Sequence, residues 1–140
     1  MSDIEFGFNA YKTDDALESK GIWLNYGKDG KFLVARAGGA NKRFTKRMEA
    51  ATRPYRRQLE AGTFNDNDLL EKVLAEVFAE TVILGWEGIT NKKTGEDVPF
   101  TKENCIRLLK AIPNLFADLR EQAASMANFR QEGLEEDAKN

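Results

Sequence analysis

The sequence contains no histidine and a single cysteine, Cys105, and each shortage removes a class of chemistry. Without histidine there is no Ser-His or Cys-His nucleophile, no His-ligated zinc, and no side chain whose ordinary pKa lies near neutrality to serve as a pH switch. One cysteine can close no internal disulfide and build no metal cluster. Because Cys105 falls where a helical pattern wants an apolar residue, it is expected to be a reduced core thiol. Long apolar runs are also missing: none approaches the ~20 residues that cross a bilayer. The start, Met1-Ser2-Asp3-Ile4-Glu5, is acidic where a secretory signal would be basic and then apolar. A cytoplasmic protein with no membrane partner is expected.

Phosphate and calcium loops are incomplete. Ala37-Gly38-Gly39-Ala40-Asn41-Lys42 lacks the glycine and Lys-Ser/Thr spacing that cradles a phosphate, and reads as a turn after a strand. Asn65-Asp66-Asn67-Asp68 resembles half a calcium loop, yet no glycine follows at the sixth position and Glu76 is one place off the closing acid. Those polar side chains suit a helix N-cap, where their oxygens accept from free backbone N–H groups. No catalytic residue, metal site or cofactor is expected, and the chain is not expected to be an enzyme.

What is present is ordinary for one small folded unit: 140 residues, 41% apolar, 31% charged, net charge −2. Three regions are expected. Residues 1–19 form an acidic, flexible arm carrying Phe6, Phe8 and Tyr11; residues 20–130 form one helical domain; residues 131–140 form a disordered acidic tail. The fold class is mainly α, a small domain of about four helices with an N-terminal β-hairpin. The hairpin is read from two β-rich runs, Gly21–Tyr26 and Lys31–Arg36, flanking Gly27-Lys28-Asp29-Gly30.

A first helical pattern over 42–61 aligns Phe44, Met48, Ala51, Tyr55 and Leu59, with Pro54 set to kink or restart it. Its other faces carry Arg43, Arg47, Arg56 and Arg57, a basic surface suited to an acidic partner. The second pattern, about 66–84, holds Leu70, Val73, Leu74, Val77, Phe78, Ile83 and Leu84, so it reads as the central core helix. Gly85 is read as its end, with Trp86 folded back over it as a core cap or turned to a partner. Thr101 is placed to cap a third helix through Cys105, Leu108, Leu109 and Ile112, and Pro113 to open a fourth through Phe116, Leu119, Ala123 and Met126.

Gly85-Trp86-Glu87-Gly88-Ile89, a turn at Gly95, Phe100-Thr101-Lys102-Glu103-Asn104 and Pro113-Asn114-Leu115, in this order, resemble the tail assembly chaperones of long-tailed (siphovirus, lambdoid-type) bacteriophages. Lys20-Gly21-Ile22-Trp23 and Ala35-Arg36-Ala37-Gly38-Gly39 extend the likeness, so that it spans about Lys20 to Phe129. The resemblance implies a non-enzymatic assembly factor of the host cell cytoplasm, absent from the mature tail. It implies binding of the tape measure protein and help to tail-tube polymerisation. It further implies ribosomal frameshifting, with this chain as the short product and the tail tube protein engaged through the longer one. On this reading Trp86, Ile89, Leu115 and Phe116 would offer the partner surface, with the basic helix second. Self-association is expected from the unpaired hairpin edges and from the opposite charges of the first two helices. The alternative is a small nucleic-acid-binding regulator using the basic helix 42–61.

Overall fold

The computed structural model describes residues 3–130. Along them run α1 (Asp15–Lys20), β1 (Ile22–Asn25), β2 (Lys31–Val34), α2 (Lys42–Thr52), α3 (Arg56–Ala61), α4 (Asn67–Thr81), β3 (Ile83–Glu87), α5 (Lys102–Ala111) and α6 (Pro113–Ala124). The mainly helical reading holds at the level of class. Several local expectations hold too: the Gly27–Gly30 turn joins two antiparallel strands, and Pro54 lies in a 3-10 turn that separates α2 from α3. Thr101 caps α5 by accepting from the Asn104 N–H, and Pro113 is the first residue of α6.

The hairpin is not a complete sheet. β3 pairs antiparallel with β2, giving a three-stranded sheet in the order β1-β2-β3. This corrects the second helical pattern, which ends at Thr81 and not at Leu84, and it corrects Gly85, which lies in a strand opposite Leu33. The physical reason is tertiary. Val82, Ile83 and Leu84 are apolar in either period, but β2 presents an open edge whose N–H and C=O groups need partners. Between Val34↔Ile83 and Leu33↔Gly85 the register slips, leaving Leu84 as an extra, bulged residue.

The sheet and the helices share one core. Phe32, Val34 and Trp86 from the sheet meet Phe78 and Val82 of the α4 region, Cys105 and Leu109 of α5, and Phe116, Leu119 and Ala123 of α6. Edge-to-face aromatic pairs run through it, from Tyr26 to Phe32 to Trp86 to Phe100, and from Phe44 to Phe78 to Phe116. Such pairs add to what area burial alone contributes.

The stretch read as a flexible arm, residues 1–19, contains most of the docked helix α1. Asp14 caps α1 by accepting from Ala16 and Leu17 N–H, its own N–H bonds the Phe129 carbonyl, and Thr13 bridges to Arg130. The Glu18 carboxylate is buried, pairs with Arg36 and accepts from the Ala40 N–H at 3.2 Å. A Cβ on Gly39, whose φ is 55°, would run into that carboxylate. Charge pairing and a close backbone approach therefore tie α1 down, where composition alone reads as solvated. Buried Asn41 completes the corner by donating to the carbonyls of Arg36 and Thr81. The expected tail, residues 131–140, lies outside the described residues.

Candidate functional site

The α5–α6 corner is built by capping and by proline. Ile112 ends α5, and Pro113, which lacks an N–H to leave unpaired, starts α6 in a new direction. The junction leaves Ile112 47% exposed. Opposite it, Gly30 in the hairpin turn and Gly88 after β3 come so close that a Cβ on Gly30 would stand 2.7 Å from the Ile89 side chain. Both glycines have positive φ, 121° and 77°, which an L side chain rarely adopts. This approach sets Ile89 beside the corner.

Between these parts lies an open groove of about 620 Å³. Its apolar lining comes from Tyr26, Phe32, Ile89, Leu108, Ile112 and Leu115, while Lys28, Asp29, Thr90 and Lys92 also face it. Tyr26 is anchored by its hydroxyl, which donates to the Asp118 carboxylate at 2.6 Å. Burial, and then that carboxylate, push its pKa above the usual phenol range, so it stays a neutral donor.

The residues expected to form a partner surface separate here. Ile89 and Leu115 line the groove. Trp86 and Phe116 do not: both are buried, and the exposed apolar shoulder expected at Phe116 is corrected. The Trp86 indole N–H donates to the Val98 carbonyl at 2.8 Å, and Phe116 lies under the Arg120 guanidinium, 4.3 Å from the ring centroid. Arg120 in turn bonds Glu71 of α4. Helical spacing shows which residues share a face but not what a neighbouring arginine covers. Sequence reasoning missed Tyr26 as a groove residue and gave Ile112 to a buried stripe; the break at Pro113 was the available signal.

The basic surface separates too. Arg47 bonds the Glu80 carboxylate at 2.6 Å, and Arg43 donates to the Glu80 carbonyl. Lys102 also pairs with Glu80, and this contact, with help from Arg47 and against burial, holds the Glu80 carboxyl below its ordinary range. Part of the acidic surface expected to attract another copy is thus used within the chain. Arg56 and Arg57 are exposed, Arg56 pairing with Glu60 one turn on. Among the described residues no group of three or more Cys, Asp or Glu could hold a metal ion, and no helix is long and apolar enough to cross a membrane. Asp66 caps α4 by accepting from the Leu69 N–H.

Comparison with known proteins adds an origin. No curated protein and no solved structure matches the chain. The family model described as "YdaY prophage protein" matches residues 39–140, a span that includes β3, the α5–α6 corner and two-thirds of the groove's apolar lining. The chain belongs to the YdaY prophage protein family and is of phage derivation.

Proposed function

We propose that this prophage protein is a tail assembly chaperone that binds the tape measure protein without turnover, in the cytoplasm of the host. On this reading it is the short product of a frameshift pair and reaches the tail tube protein through the longer one. The observation that carries the reading is the groove. The three stretches that resemble phage chaperones, Gly85–Ile89, Phe100–Asn104 and Pro113–Leu115, are the ones that form β3 and its exit, cap α5 and turn the corner into α6. Together they expose Ile112 beside Ile89 and Leu115. A tape measure protein is a long helical chain, and a half-open apolar groove with lysines at its rim suits an amphipathic helix with acids flanking its apolar stripe. Several copies along a repetitive target would multiply weak contacts.

Co-expression tests it. The tape measure protein encoded by the same prophage should be more soluble with the wild-type chain present, and Ile112→Asp with Leu115→Asp should remove the gain. A tape measure protein that stays insoluble with the wild-type chain overturns the assignment. The nucleic-acid reading is favoured by one feature, the exposed Lys42, Lys46, Arg53, Arg56 and Arg57 on α2, α3 and the turn between them. A gel shift that weakens steeply as salt rises would support that reading in its place.

A further inference from the structure

The chain exposes a second apolar element that the groove reading does not use. In the arm before α1, Ile4, Phe6, Phe8 and Tyr11 are 69%, 68%, 78% and 71% exposed. Ile4 and Phe6 alternate with Asp3 and Glu5, so in extended backbone this stretch carries one apolar and one acidic face. Phe8 also holds a φ of 66°, which is uncommon for a bulky residue; its carbonyl accepts from the Tyr11 N–H and its largely exposed ring meets Tyr11 edge to face.

We propose that the arm of one copy docks in the Ile89–Ile112–Leu115 groove of a second copy. Three observations select this occupant. The first is chemistry: the arm supplies apolar side chains and two carboxylates, and the groove supplies apolar walls with Lys28 and Lys92 against the single acid Asp29. Neither lysine has a carboxylate partner among the described ion pairs.

The second is placement. The arm leaves the body where Thr13 and Asp14 meet Phe129 and Arg130, beyond the C-terminal end of α6. The groove sits at the N-terminal end of α6, a helix of 12 residues and so roughly 18 Å long. The same opposition holds along the hairpin: α1 leads into β1 at Ile22, and the groove is at the Tyr26–Asp29 turn. An arm leaving one end and a socket at the other make a head-to-tail contact between copies, which builds a ring or an open chain. The third is availability, since the arm's apolar residues are exposed and the groove is open in the same molecule. A partner helix entering the groove would have to displace the arm, although arm capture stands whether or not the tape measure protein is that partner.

Sedimentation equilibrium of the full chain is the test. The wild-type chain should associate with rising concentration, more weakly as salt screens the lysine–carboxylate contacts. An arm variant, Ile4→Ser with Phe6→Ser and Phe8→Ser, and a groove variant, Ile112→Asp, should each weaken association by about tenfold or more on their own. Mixed in equal amounts they should form a one-to-one pair that grows no further, because one copy keeps its socket and the other its arm. A second set leaves the apolar contacts untouched: Lys28→Glu with Lys92→Glu should dissociate the chain, and mixing with Asp3→Lys and Glu5→Lys should restore association. A wild-type chain that is monomeric at every concentration, an arm variant that associates as the wild type does, or mixtures that fail to pair would each overturn arm capture.

Discussion

Two aromatic-rich regions of this chain have opposite fates. The arm places Phe6, Phe8 and Tyr11 in water, whereas the core buries Phe32, Phe78, Trp86 and Phe116 and links them edge to face. The residue types are nearly the same; their sequence neighbours and backbone contexts differ. The core aromatics sit on α4, β2, β3 and α6, where a regular backbone presents each ring to a shared interior. The arm aromatics lie on a short segment that follows the acids Asp3 and Glu5 and whose one regular element among the described residues before α1 is the 3-10 turn Asn9–Tyr11. Local hydrophobicity therefore does not decide burial here. A ring is buried when the element carrying it has paired its own backbone groups and can approach another element without stranding them.

The comparison can be broken most decisively at Trp86. Trp86→Ala should destabilise the chain by about 3–5 kcal/mol, measured by denaturant unfolding, because it removes the ring between Phe32 and Phe100 and orphans the Val98 carbonyl. An unfolding midpoint unchanged from wild type would place Trp86 with the arm aromatics and not with the core.

Glu18 sharpens the boundary between the two regions, since it marks where exposed arm becomes docked helix. Glu18→Ala should cost about 2–3 kcal/mol by leaving Arg36 without its partner, a value below that for a fully buried pair because Arg36 reaches solvent. Hydrogen exchange should speed up in the Gly39–Asn41 turn as well as in α1. A loss confined to α1 would show that the carboxylate does not hold the turn.

Cys105 tests the core through pH. Burial pushes its thiol up to about 12, against an ordinary value of 9.0. Between those values the folded chain keeps a proton that the unfolded chain releases, so stability should fall as pH rises from about 9 towards 12. Cys105→Ala should flatten that slope. In the native protein at pH 8, a thiol reagent should react only as fast as the chain opens. Rapid labelling without unfolding would mean that the core around Cys105 admits solvent.

The smallest effect belongs to the arm. Ile4→Ser, Phe6→Ser and Phe8→Ser together should leave the stability of the dilute, unassociated chain within about 0.5 kcal/mol of wild type, read by thermal unfolding. A larger loss would show that the arm packs on its own body.

Much of the architecture was legible from the residues in order. The helical stripes, the Pro54 break, the Thr101 cap, the Pro113 start, the Gly27–Gly30 turn and the buried Cys105 each follow from spacing or backbone chemistry over a few neighbouring residues. Of the four apolar residues singled out for a partner, Ile89 and Leu115 line the groove, whereas Trp86 and Phe116 are buried in the core. The likeness to phage proteins pointed to a phage origin, and the family match bears that origin out. The tail assembly role remains the proposal made above.

What only the tertiary structure decided lies wherever two distant segments meet. Val82-Ile83-Leu84-Gly85-Trp86 is apolar enough for a helix end or a strand, and the open edge of β2, some fifty residues earlier, makes it β3. Glu18 looks like one more acid of a solvated arm until Arg36 and the Gly39 backbone close around it. Phe116 and Ile112 lie on neighbouring helices with similar apolar patterns, yet Arg120 covers the first and the turn at Pro113 uncovers the second. Local sequence determined where each element begins, ends and turns its apolar side, because those choices depend on backbone sterics and caps within a few residues. Pairing, bulge, cover and groove required the fold, because each depends on a hydrogen-bonding edge, a charge or a closely approaching backbone supplied by another part of the chain.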